Sequence, residues 1–143
     1  MEKTVVLSIR AQQNYIGQDP DVIELVTEGS LEAIDNGWKL CYEESDLTGL
    51  QGVRTTFQVH DKTVILTRTG RLKSQMVFRE GVPHDSLYRM EFGALMLTVC
   101  ATKVEANISD QGGVIDLNYN VEIEQNAAGE INYHLDIKAK ENA

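Results

Sequence analysis

From Ile115 to Glu124 apolar and polar residues alternate without a break. Ile115, Leu117, Tyr119, Val121 and Ile123 stand against Asp116, Asn118, Asn120, Glu122 and Glu124. After the turn residues Asn126 to Gly129 the rhythm resumes, with Ile131, Tyr133, Leu135 and Ile137 against Asn132, His134, Asp136 and Lys138. Successive side chains of a strand point to opposite faces, so a strict period of two allows only strands with one face buried and the other in water. Two such strands joined by a short turn form an antiparallel hairpin, and the rest of the chain repeats the theme.

Val5, Leu7, Ile9 and Ala11 share one face of a first strand, and Val22 to Ile34 is a long extended segment that Gly29 is expected to bend, as a bulge. Asn36-Gly37 is a strong hairpin signal, predicting a primed turn. Beyond it Trp38, Leu40 and Tyr42 face away from Lys39, Cys41 and Glu43. The acidic loop from Glu44 to Gly52 is expected to hold one helical turn. Val53, Thr55, Phe57 and Val59 alternate, and Thr63 to Thr67 follows after Asp61 and Lys62, so these two runs predict another hairpin. Ser74 to Arg79 places Met76 and Phe78 on one face. A further strand is predicted to start near Tyr88 to Gly93, and Ala94 to Ala101 reads as a strand covered on both sides. Val104, Ala106 and Ile108 continue after Thr102 and Lys103, and the residues from Lys140 on form a tail expected to fray.

No amphipathic helix interrupts the series, and the connections are mostly turns. The expected fold is all-β: one domain over residues 1–143, an antiparallel up-and-down β-barrel of about eight to ten strands, since closure removes exposed sheet edges. A chain of 143 residues is long enough to bury roughly two thirds of its unfolded surface without metal or disulfide staples.

The order LTRTG from Leu66, then SQMVF, REG, LYRMEFG, the paired glycines of QGG and the strand LNYNVEI resembles the family of small bacterial proteins of the YwiB type. Arg68, Gly70, Met76, Phe78, Gly81, Tyr88, Phe92 and Gly93 carry most of this likeness. The chain departs from the family pattern at Arg89, Met90 and Glu91, where a threonine, a proline and an aromatic residue are more usual. The resemblance implies a calycin-like, lipocalin-like barrel and brings no activity, substrate or catalytic residue with it.

A net charge of −9 disfavours binding to nucleic acid or to anionic membrane, because both depend on Lys and Arg meeting phosphate. No run of about 18 apolar residues is present and the first residues alternate at once, so a cytoplasmic protein is expected. Cys41 and Cys100 lie far apart without CxxC spacing and read as free thiols. His60, His84 and His134 show no metal-ligand spacing. The acidic groups Asp19 and Asp21, and Glu43, Glu44 and Asp46, read as solvated loop charges, so neither metal nor cofactor is expected. No nucleophile elbow, catalytic dyad or phosphate-cradling loop appears, and the chain reads as a binding protein sooner than an enzyme.

Two functional readings stand. In one, the barrel encloses a small amphipathic or acidic ligand, whose polar end is held at the mouth by Arg68, Arg71, Arg79, His84 and Tyr88, since guanidinium forks grip carboxylates. The bland counterpart pairs those arginines with Glu80, Asp85 and Glu91, and lets Tyr88 and Phe92 plug the barrel end. In the other, the barrel is filled and its outer face, at Val22 and Val26, contacts a partner or a second copy in a homodimer.

Overall fold

A computed structural model describes residues 2–45 and 50–140. The strands are β1 Glu2–Tyr15, β2 Asp21–Ile34, β3 Gly37–Glu43, β4 Val53–His60, β5 Thr63–Gly70, β6 Ser74–Phe78, β7 Pro83–Met90, β8 Gly93–Ser109, β9 Gly112–Ile123 and β10 Asn126–Ala139. All ten belong to one antiparallel sheet in the order β6-β5-β4-β3-β2-β1-β10-β9-β8-β7, a meander whose ring is completed between first and last strand by the β1–β10 pairing. The two ends of this order, β6 and β7, meet at a seam. There Lys73 N–H donates to Arg89 O at 2.9 Å, Arg89 N–H to Lys73 O at 2.8 Å and Val82 N–H to Arg79 O at 3.0 Å. The seam is thinner than a full ladder, and the result is a nearly closed barrel, as expected from the alternation.

The interior follows the period of two. Val5, Leu7, Leu40, Phe57, Val64, Leu66, Phe78, Ile115, Leu117 and Leu135 are completely or almost completely buried. On β8 a bulge between Ala101 and Lys103 shifts the register against β9. It moves the inward set from Leu97, Val99 and Ala101 to Val104, Ala106 and Ile108, so one extra residue keeps both halves of a 17-residue strand facing the core.

Several local expectations are corrected. Tyr88 to Gly93 does not start a strand; it ends β7, turns at Glu91 and Phe92, and β8 begins at Gly93. The apolar run Ala94 to Ala101 is covered on one side only, for Met96 points outward and is exposed. The run is apolar on both faces, but a single-layer barrel offers its outer face no cover. Phe92 stands in that turn 89% exposed and plugs nothing. Gly29 marks a close approach instead of a bulge: the β1–β2 register runs through it unshifted, and a Cβ there would lie 2.5 Å from Cys41 O. The β2–β3 hairpin exists, but its two turn residues are Asp35 and Asn36, of which only Asn36 has positive φ, at 63°, so the turn is not the primed one. The acidic loop from Glu44 to Gly52, expected to hold a helical turn, includes residues 46–49, and the tail expected to fray from Lys140 includes 141–143; these lie outside the described residues.

Candidate functional site

The meander puts the connections β1–β2, β3–β4, β5–β6, β7–β8 and β9–β10 at one end and the others at the opposite end. At the first end the core is hollow. A cavity of about 310 Å³ is lined by Gln13, Tyr15, Leu50, Arg68, Met76, Tyr88, Leu95, Leu97, Val99, Tyr119, Val121, Ile123, Ile131 and Tyr133. A side chamber of about 60 Å³ shares Gln13, Leu50, Arg68 and Tyr133 with it and reaches Ile23, Leu25, Tyr42 and Glu44.

Arg68 enters because of strand parity. On β5 Val64 and Leu66 point inward, and the next position on that face is Arg68, opposite buried Thr55 on β4 and Ser74 on β6. Its Nε lies 4.0 Å from Glu44 Oε2, and the two side chains are only 13% and 2% exposed. The Thr55 hydroxyl donates to the same Glu44 oxygen at 2.5 Å. Arg68 Nε is buried without a hydrogen-bond partner, as are the hydroxyls of Ser74 and Ser86. Buried polar groups are nearly always satisfied, and these three atoms are exceptions.

Tyrosines surround this group. Tyr42 and Tyr133 hydroxyls bond each other at 2.5 Å, and Tyr15, Tyr88 and Tyr119 complete the wall. Burial pushes the phenol pKa of Tyr119 far above its ordinary value, and it raises those of Tyr133, Tyr42 and Tyr15 as well. For Arg68, burial works against the charge, but Tyr133, Tyr119, Tyr42 and Glu44 more than restore it, so the guanidinium stays protonated.

The five residues that sequence reasoning grouped at a mouth do not converge. Arg68 and Tyr88 line the cavity. Arg71 lies at the same end but outside, its Nε donating to Gln51 O at 2.7 Å. Arg79 is at the opposite end, donating from Nε to Thr63 Oγ1 at 3.3 Å, and His84, early on β7, accepts from Val77 N–H at 3.4 Å on Nδ1. None of the expected partners Glu80, Asp85 and Glu91 pairs with Arg68. Glu80 instead accepts from Val104 N–H at 3.0 Å and Asp85 from Thr98 Oγ1 at 2.7 Å. Sequence reasoning missed Glu44, placed among solvated loop charges, and the interior cluster of Tyr42, Tyr119 and Tyr133. The alternation had put those tyrosines on core faces, and that was the available signal.

Among the described residues no group of three or more His, Cys, Asp or Glu side chains is arranged to hold a metal ion. Among the same residues no helix is long and apolar enough to cross a membrane.

Comparison with known proteins sets this geometry in a family. The chain is 29% identical, over 104 residues, to the uncharacterized beta-barrel protein YwiB of Bacillus subtilis (strain 168), a match covering 72% of this chain and 71% of that protein. Its fold matches the crystal structure of the ywiB protein from Bacillus subtilis with a TM-score of 0.80 at 22% identity, over 94% of this chain and 92% of that one. Residues 7–137 match the model of a domain of unknown function, DUF1934, and the chain therefore belongs to the DUF1934 family.

Proposed function

We propose that this protein binds a small amphipathic molecule in the hollow half of its barrel, with Arg68 holding the polar end. The observation that carries the reading is a cavity of about 310 Å³ with Arg68, a side chain only 13% exposed, as the one charged group among its described lining residues. The remaining wall is apolar or aromatic, as small-molecule pockets usually are. This is the calycin-like use of a barrel interior. A cytoplasmic setting belongs to the same reading and agrees with the free thiols Cys41 and Cys100.

Native mass spectrometry of the protein taken from its host, first under gentle and then under denaturing conditions, tests the reading. A small mass released only on denaturation is the expected result. A chain that carries no mass and takes none up from a small-molecule extract of the host refutes it.

A second reading has its own observation. Val22 and Val26 lie on the outer face of β2, and both are exposed, Val26 at 70%. A homodimer formed through this face would cover them, and Val26→Asp would then leave a monomer by light scattering; a wild-type monomer refutes the dimer.

A further inference from the structure

We infer that the ligand is uncharged, with an apolar or aromatic body and a carbonyl-type oxygen that faces the Arg68 guanidinium. The inference rests on the cavity reading above and narrows it to one chemical class.

Charge balance is the argument. Among the described residues that line the cavity, Arg68 bears the only formal charge, and buried Glu44 stands 4.0 Å from it. The site is thus already neutral before anything enters. Tyr15, Tyr42, Tyr119 and Tyr133 do not alter the count, since burial raises their phenol pKa values and favours the neutral form. A carboxylate placed against Arg68 would have to share the guanidinium with Glu44 and would leave one negative charge unbalanced beside that buried group. Glu44 cannot turn away freely, because Thr55, itself fully buried, donates to its Oε2. A carbonyl oxygen asks for none of this. It meets the guanidinium, leaves the Arg68–Glu44 pair intact and adds no charge. The aromatic walls of Tyr15, Tyr88 and Tyr119 and the aliphatic walls of Leu95, Leu97 and Val121 suit a ring or short chain as its body.

The matched probes 2-naphthamide and 2-naphthoate, the latter fully ionised at about pH 8, share one body and differ in the charge of the polar end. Equilibrium dialysis against the full chain is expected to show the amide bound at least about tenfold more tightly. In Glu44→Gln the balance is removed, and the preference is expected to swing toward naphthoate. Wild-type binding of naphthoate equal to or tighter than the amide overturns the inference and leaves the cavity reading standing. Binding of neither probe, at concentrations up to their solubility, refutes both. The wild-type comparison decides the matter even if Glu44→Gln does not fold.

Discussion

Removing the charge of Arg68 while keeping its length, as Arg68→Met does, takes away the positive charge that stands beside buried Glu44. At the observed separation of 4.0 Å two unit charges attract by about 4 kcal/mol at the effective dielectric that suits partly buried pairs. Removing one partner of a buried pair costs about 3–5 kcal/mol, because the survivor keeps its desolvation penalty. Arg68→Met should therefore lower the unfolding free energy by about 3 kcal/mol, and Glu44→Gln by a similar amount. The double variant loses the attraction and both burial penalties together, so it should cost no more than either single change, a coupling of about 3 kcal/mol. Urea unfolding followed through Trp38, the only tryptophan, reads all four proteins on one scale. A total stability of about 5–15 kcal/mol leaves room for single losses of that size. Additivity within about 0.5 kcal/mol would refute the claim that the two groups form a coupled interior pair.

Gly70→Ala should unfold or cripple the barrel, since φ is +117° and a Cβ would sit 2.2 Å from Gly52 O; Gly81→Ala, at φ +77° with nothing within 4 Å, should cost only about 1 kcal/mol in thermal melting. Because burial lifts Tyr42, Tyr119 and Tyr133 above the ordinary value of 10.0, the folded state holds these protons more tightly than the unfolded one. Stability should be at full strength below pH 10.0 and fall as the pH rises beyond it, with phenolate absorbance from these rings emerging only as the chain unfolds; equal stability on both sides of that pH would contradict the burial. Val121→Phe should fill the hollow half and abolish uptake of any ligand while shifting stability by less than about 1–3 kcal/mol, the usual cost of overpacking a filled core, and a variant that still binds would place the ligand elsewhere.

The barrel was legible because alternation acts locally and a meander needs no long-range information beyond it. Val5 to Ala11, Val53 to Val59 and Ile115 to Ile137 show their inner faces in the sequence and keep them in the fold. What the sequence hides is where an alternation slips or stops. Arg68 follows Leu66 by two residues and so belonged to the inner face of β5, but reading that strand as ending at Thr67 sent the side chain to the rim. Glu44 lies just past the end of β3, where the sequence shows only another acid in an acidic loop, and only the closed ring brings it to Thr55 and Arg68. Likewise Arg79 and His84 are near Arg68 in sequence, yet a barrel sends alternate connections to opposite ends, and five residues along a strand are enough to separate them.

The division of the interior explains how one small barrel can be both stable and hollow. At the packed end Leu7, Leu40, Phe57, Val64, Leu66, Leu117 and Leu135 leave no surface to water, and burial of this kind supplies most of the folding free energy. The cavity begins where aromatic rings rest on that layer: Tyr133 tilts against Phe57 with centroids 5.6 Å apart, and Tyr119 against Phe78 at 4.6 Å. Each ring has one face or edge on the packed half and its polar end among the groups around Arg68. Tyrosine suits this border, since its body is buried as phenylalanine would be and its hydroxyl needs a partner. The Tyr42–Tyr133 pair meets that need for two of them. The packed half fixes the rings, the rings and Thr55 fix Arg68 and Glu44, and Arg68 stands on the wall of the cavity. On the proposed reading, a guanidinium fixed in this way loses little freedom when a ligand enters, and preorganisation of that sort favours affinity.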